Sequence, residues 1–498
     1  MRALSKSKLM AYRQCPKRLW LEIHRPALRD DSDATHAGFA VGHSVGDIAR
    51  RIYDPKSKGT LIEPFADGID AACERTTQLL ASSHPIFEAG YSAAGALAFS
   101  DVLLPKRKAG QRVWRMVEVK SSTSVKPYHR DDAAIQAFVA KMSGVALESV
   151  ALAHIDSSWT YPGQEDYSGL LKEEDLSAEV FARTADVAAW IAGAHAVARK
   201  KIEPAMATGQ HCNDPYGCGF IDHCRSAEPQ ATYPVAWLPR VQTSALKTFI
   251  AEGGVTELAE VPDTLLNATQ LRVKSHTIAG TTYFDAGGAA ADLQEHKLPA
   301  IFLDFETISF AVPIWAGTRP YQQIPFQFSA HRLGRTGKIA HHAFLDLSGR
   351  DPSRAFAEAL IGACGERGPI FVYNAGFENA RIRELAERFP RVRRALLAIT
   401  ARVVDLLPVA QRNYYHPEQQ GSWSIKKVLP SIAPDLSYAA LGGIQHGGMA
   451  MEAFMEAISP QTSAARKEAI ERELLDYCAL DTMAMVRLWA FFSGRNFH

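Results

Sequence analysis

The chain is 498 residues long, 47% hydrophobic and 22% charged, with a formal net charge of +1. That length exceeds one ordinary core and predicts two or three domains, and the composition is that of a folded chain rather than a disordered one. Near-zero charge excludes a wholly basic nucleic-acid binder, so any such contact has to come from local runs such as Lys106-Arg107-Lys108 or Arg199-Lys200-Lys201, each of which alone reads as a solvated surface.

The first predicted element is a helix from Ser5 onward, with Cys15 inside Tyr12-Arg-Gln-Cys-Pro-Lys-Arg-Leu-Trp20. The N-terminal residues lack the apolar core of a signal peptide, and no apolar run is long enough to span a bilayer. A cytoplasmic chain with no membrane partner is therefore expected. A Gly-rich helical stretch carries His43. Strand patterns follow at 86–92, 97–104 and 113–121, with Glu88 on the first and Asp101 on the second. The third contains Val117-Glu-Val-Lys120, so Glu118 and Lys120 share one face while Val117 and Val119 pack behind them. In isolation that alternation is equally an ion pair on an exposed strand. A helix over 131–142 carries Gln136.

Cys212, Cys218 and Cys224 form an array with five residues between successive members, flanked by His211 and His223. Seven cysteines is an odd count, and a cytoplasmic chain disfavours disulfides, so a metal centre is the expected use of the array. Three Cys with His211 or His223 around zinc is one such centre. Cys73, Cys364 and Cys478 read as buried small apolar residues.

The text changes between 229 and 239. Residues 240–298 mix a helical pattern at 245–252, a strand-like 281–284 and a Gly/Ala-rich run at 285–291, and read as a connector or small helical module without chemistry of its own. From 298 onward, strand patterns at 300–306, 325–333, 338–345 and 369–373 interleave with helices, predicting an α/β domain with a mixed sheet. In the first of these strands, Ile301-Phe-Leu-Asp-Phe-Glu-Thr307, Asp304 and Glu306 point to one side. Two carboxylates that close repel each other, and their natural tenant is a divalent cation. Glu378 opens a helix reaching 389, where an acidic residue complements the helix dipole. Tyr477 and Asp481 lie one turn apart on a helix over 474–492. Asp405 is a further acidic candidate, or a helix cap.

The ordered set Asp304-x-Glu306, Asn374-x-x-Phe-Glu378 and Tyr477-x-x-x-Asp481 resembles the DEDD exonuclease superfamily, related to the proofreading exonucleases and RNase D, in its variant with Tyr in the last motif. The resemblance implies an RNase H-like mixed-sheet exonuclease fold and a Mg²⁺ or Mn²⁺ centre for phosphodiester cleavage. It makes Asp304, Glu306 and Asp481 direct ligands, puts Glu378 in a slot where the superfamily usually has Asp, and has Tyr477 orient the attacking water. Asp101, Glu118-x-Lys120 and the helical Gln136 resemble the PD-(D/E)xK nucleases of the RecB-like branch, with Ala140 where that branch often has an aromatic residue. This implies a restriction-endonuclease-like fold in which Asp101 and Glu118 hold metal, with Lys120 beside the scissile phosphate and His43 near a metal-binding position. Cys15 with Cys212, Cys218 and Cys224 is similar to the iron-sulfur RecB-like nucleases, including the CRISPR-associated ones. It implies a [4Fe-4S] cluster stapling the first helix to the end of that domain, zinc being the alternative.

The whole chain looks like a bacterial family joining these two nuclease types: a RecB-like domain over 1–230, a connector or small helical module over 231–297 and an exonuclease-like domain over 298–498. The expected function is a metal-dependent nuclease acting on single-stranded DNA ends, its C-terminal centre working 3'-to-5'. The alternatives are a nucleic-acid-binding scaffold with an inactive N-terminal domain, and an RNA-processing exonuclease.

Overall fold

Ser5 caps the first helix, α1 (Lys6–Gln14), its hydroxyl accepting from the Lys8 N–H at 3.4 Å. Cys15 is extended between α1 and α2 (Pro16–His24), which starts on a proline whose missing N–H would have had no partner there anyway. A long helix, α3 (Asp33–Tyr53), follows. The computed structural model describes residues 3–495, apart from the side chains at 33–37, 39, 40, 65 and 67.

The three strands expected between 86 and 121 form an antiparallel meander, β1 (Ile86–Ala93), β2 (Ala96–Lys108) and β3 (Gln111–Lys120). From β3 the chain crosses through α4 (Pro127–Met142) to β4 (Leu147–Ile155), which pairs parallel with β3, and β5 (Leu171–Asp175) returns antiparallel. A parallel pair needs a crossover of this length, and the helix that supplies it covers the sheet. With the short strands Leu4–Ser5 and Thr60–Leu61 the sheet has seven strands. Leu4 pairs with Ala96, which brings Lys6 to the sheet. Leu9, Leu19, Leu103, Met116, Ile135, Val150 and Leu152 are among the residues of the core between sheet and helices, and α5 (Thr184–Ala198) adds Val187 and Ile191 to it.

A second core is built from 231 onward. The stretch read as a connector or small helical module contributes α6 (Ala268–Ala279) and α7 (Ala286–Leu293). Val273, Ala289 and Leu293 pack in one cluster with Leu406, Val409 and Trp489. The Gly/Ala-rich run is thus helical, with the Asp285 carboxylate capping the Gly288 N–H at 2.8 Å.

The sheet of this part has five strands in the order β8-β7-β6-β9-β10: β6 (Ala300–Ile308), β7 (Ile324–Leu333), β8 (Ile339–Leu345), β9 (Ile370–Val372) and β10 (Val403–Asp405). β6, β7 and β8 are antiparallel neighbours, whereas β9 and β10 run parallel beside β6. Alternation along β6 divides its residues between two apolar layers. Phe302 packs with Phe371 and Trp489, while Leu303 and Phe305 pack with Phe356 and Leu360 of α8 (Ser353–Cys364). The C-terminal helix, α12 (Ala464–Phe492), covers the Phe302 side, after α9 (Ala375–Arg388), α10 (Ile425–Ile432) and α11 (Gly447–Ile458).

By contacts the chain divides into two units, Met1–Gln230 with Phe310–Tyr321, and Ala231–Ser309 with Gln322–His498. The α/β architecture with mixed sheets holds in both. No helix among the described residues is long and apolar enough to cross a membrane.

Candidate metal centre and two further polar sites

In the second unit, β6 and α12 bring Asp304, Glu306 and Asp481 together, with one carboxylate oxygen from each lying within 4.8 Å of the others. Among the described residues no other His, Cys, Asp or Glu trio meets that spacing. The three are close because Asp304 and Glu306 share the β6 face that α12 covers. Burial and the neighbouring carboxylates Asp481, Glu306 and Glu378 raise Asp304 well above the usual carboxylate range. Burial, then Asp481, pushes Glu306 up to about 8. Asp481 is raised by burial too, but less freely, since the Tyr438 hydroxyl donates to its Oδ1 and Lys426 lies nearby.

Glu378 stands in the first turn of α9, 2% exposed, with Oε2 meeting no hydrogen-bond partner among the described residues. Burial pushes it up to about 8. Its local frame is set by Asp405, whose carboxylate accepts from the N–H groups of Asn374 at 2.9 Å, Ala375 at 3.0 Å and Leu407 at 2.9 Å. Asp405 therefore caps two helices at once and holds Asn374 in the left-handed region at φ 82°.

Tyr477, 4% exposed, lies one turn before Asp481, and its hydroxyl is 3.3 Å from Lys426 Nζ. The Lys426 ammonium sits 4.9 Å from the ring centroids of both Tyr477 and Tyr438. Burial lowers its affinity for the proton, against the pull of Asp481, Glu306 and Asp304. Lys426 and Tyr438 escaped sequence reasoning because no spacing ties α10 and the turn after it to a strand more than a hundred residues earlier. An all-oxygen set of buried acids that raise one another's proton affinity fits a hard divalent cation.

In the first unit, Glu118 and Lys120 end β3, and α4 supplies an acid that the sequence did not flag, Asp132. Lys120 Nζ lies 2.6 Å from Glu118 Oε1 and 2.5 Å from Asp132 Oδ2. Lys6, also unflagged, is 3.1 Å from Glu118 Oε1 and 3.1 Å from Asp132 Oδ1. Two ammonium groups and two carboxylates alternate around a closed ring. Burial alone would lower both lysines, but Asp132 and Glu118 outweigh it, raising Lys120 well above its usual value and Lys6 to about 12. Asp101 Oδ2 accepts from the Val119 N–H at 2.6 Å, and its proton affinity is raised well above normal by burial and by Glu118.

Opposite Asp101 in the β1–β2 ladder, Glu88 adopts φ 54°, a strained backbone for a residue with a side chain, and burial and Glu118 raise it. Gln136 is wholly buried one turn beyond Asp132, and neither end of its amide has a partner among the described residues. His43 is exposed on α3, close enough to Glu88 to act on its charge, and makes no part of the ring.

Cys15, Cys212, Cys218 and Cys224 line one small cavity in the first unit, together with Met206 and Lys17. Gln14, next to Cys15, pins the loop between the first two array cysteines by donating to the carbonyls of His211 and Tyr216, each at 2.7 Å. No three of these sulfurs lie within 4.8 Å of one another. Of the other cysteines, Cys364 and Cys478 are buried as expected, and Cys73 is half-buried.

Residues 301–424, which include Asp304, Glu306, Glu378 and Asp405, match a family described as "Domain of unknown function (DUF2779)". A curated protein of Mycoplasma pneumoniae, "Uncharacterized protein MG366 homolog", is 25% identical over 217 residues. The matched region is 40% of this chain and 32% of that protein, so the chain spans about a third of the relative's length.

Proposed function

We propose that this protein is a divalent-metal-dependent nuclease of the cytoplasm that hydrolyses phosphodiester bonds at the ends of single-stranded DNA, with a 3'-to-5' exonuclease centre in its second unit. The observation that carries the reading is the convergence of Asp304, Glu306 and Asp481, with Tyr477 one turn away and Glu378 buried beside Asp304. Asp304, Glu306 and Asp481 would hold Mg²⁺ or Mn²⁺, with Glu378 serving a second ion. Bound ions of this kind supply an activated water and charge for the departing oxygen. Tyr477, whose hydroxyl is kept protonated by burial and by the acids around it, can donate or accept a hydrogen bond at that water. The five-stranded mixed sheet supports an RNase H-like fold, and the meander followed by the β3-α4-β4 crossover supports a PD-(D/E)xK fold for the first unit.

In that reading Asp101 and Glu118 are the metal-binding acids of a second centre. Glu118 Oε2 and the Gln136 amide are buried polar groups still in want of a partner. The four cysteines that line one cavity would hold a structural [4Fe-4S] cluster. Tetrahedral zinc held by three of these cysteines and a histidine is the alternative, and metal analysis with visible absorbance separates the two.

Release of nucleotides from end-labelled DNA and RNA strands, with Mg²⁺, Mn²⁺ or EDTA, tests the proposal. Cleavage should need metal, favour single-stranded DNA from its 3' end, and fall with Asp304→Ala and Lys120→Ala. If neither substitution alters it, the assignment is wrong.

A further inference from the structure

The charged ring in the first unit has an asymmetry with a chemical use. Its carboxylates are sunk, with the Glu118 side chain 1% exposed and that of Asp132 10%, whereas Lys6 and Lys120 are 25% and 20% exposed. Each ammonium has three N–H donors and no acceptor. Lys120 hydrogen-bonds both acids, and Lys6 hydrogen-bonds Glu118 and pairs ionically with Asp132, so each ammonium keeps at least one donor that neither acid takes. Because both lysines are anchored to the same Oε1 of Glu118, the two free donors are held close together at little further cost in side-chain entropy. Two adjacent cations would normally repel. Here Glu118 and Asp132 alternate with them around the ring, so the two ammonium groups are held side by side at its partly exposed edge.

We propose that Lys6 and Lys120 jointly form a phosphate-binding site, in which each ammonium donates to a non-bridging oxygen of one phosphodiester of a single-stranded nucleic acid. This rests on the nuclease reading above, which places Lys120 beside the scissile phosphate, and adds Lys6 as its equal partner. Position helps to explain why a residue so far away in sequence takes this part: pairing of Leu4–Ser5 with β2 and the Ser5 cap fix the start of α1, and the Lys6 side chain reaches across to the end of β3.

The experiment measures equilibrium binding of a labelled single-stranded oligonucleotide to the full-length protein in EDTA, across a series of potassium chloride concentrations, for the parent and for Lys6→Met, Lys6→Gln and Lys6→Arg. A contact between Lys6 and phosphate contributes about 0.7 to the slope of log K against log salt. Lys6→Met and Lys6→Gln should bind about ten-fold more weakly and lose about 0.7 of that slope, while Lys6→Arg keeps both. Lys6→Gln retains a donor for Glu118, so it decides the matter if Lys6→Met does not fold. Folded Lys6→Gln protein with parental affinity and slope would overturn the proposal and leave Lys6 a structural counter-ion. Lys120→Ala, assayed with Mn²⁺, separates the two failures. Lost cleavage there beside unchanged Lys6→Gln binding sinks only the shared phosphate site, whereas unchanged cleavage in both Lys120→Ala and Asp304→Ala sinks the nuclease reading and this proposal with it.

Discussion

A carboxylate that holds a proton at neutral pH has to release it before it can ligate a metal. Glu306 and Glu378, both pushed up to about 8, are largely protonated at pH 7 in the metal-free protein, and Asp304 is raised well above its usual range. The folded protein binds these protons more tightly than the unfolded chain does. These acids therefore favour the metal-free fold at low pH, and that contribution is lost as pH rises from the unfolded value near 4.5 through about 8. Metal binding reverses the preference. Calorimetric titration with Mn²⁺ at pH 7 in two buffers of different ionisation enthalpy should show release of at least one proton, and affinity should rise with pH up to about 8. An absence of proton release would mean that the trio does not take the metal. Tyr477 supplies no ligand charge; its hydroxyl lies 3.3 Å from Lys426 Nζ and lowers the proton affinity of Asp481 by hydrogen bonding. Tyr477→Phe should lower kcat on single-stranded DNA by roughly 10²-fold, the scale of one positioned proton-handling group, with metal affinity nearly unchanged.

At the scale of elements, much of the fold was legible because period-two alternation and helical spacing are local. The strand patterns at 86–92, 300–306 and 325–333 correspond to β1, β6 and β7 within a few residues. Helix starts were less legible, since α12 begins at Ala464 and α9 at Ala375, where Ser463 and Asp405 give the first turns their partners. The candidate acids lie on these readable elements. Their companions do not share a pattern with them: the Lys6–Glu118 contact spans 112 positions, and one-dimensional spacing carries no trace of it. Asp405 shows what a cap can do for a site. Its carboxylate ties the end of β10 to the first turns of both α9 and the following helix, and α9 carries Glu378 one turn in. Asp405→Ala should cost about 2 kcal/mol, at the upper end for a lost cap, read as a lower midpoint in urea. It should also weaken Mn²⁺ binding, whereas Asp405→Asn, which keeps one acceptor, should recover part of both losses. A variant with parental stability would show that water replaces the carboxylate at all three N–H groups.

For the molecule as a whole, the path of the chain matters more than the position of any one boundary. The chain passes between the two units three times, after Gln230, after Ser309 and after Tyr321, because the segment between β6 and β7 belongs to the first unit. Nothing periodic marks that segment. It lies between two strand patterns and carries none of its own, and only its contacts reveal it as part of a core. Ala311 is buried with Val45, Ile48, Ile155 and Leu170, and Val312 packs against the same cluster. The Tyr161 N–H donates to the Thr318 carbonyl at 2.9 Å and the Gly317 N–H to the Tyr161 carbonyl at 2.8 Å, while the Tyr321 hydroxyl donates to the carbonyl of Ser121, the neighbour of Lys120. A fragment cut after 230 therefore lacks a piece of its own core and leaves the Tyr161 backbone groups to water. Two backbone hydrogen bonds at about 1 kcal/mol each, with the apolar burial of Ala311 and Val312, amount to about 3 kcal/mol. For a unit of this size that corresponds to roughly 6–12 °C of melting temperature. Residues 1–230 joined by a flexible Gly/Ser linker to 310–321 should melt that much higher than 1–230 alone, and amides of β4 and of 161–170 should exchange more slowly in the joined form. Equal melting temperatures and equal exchange would show that the segment adds nothing to the first unit's stability.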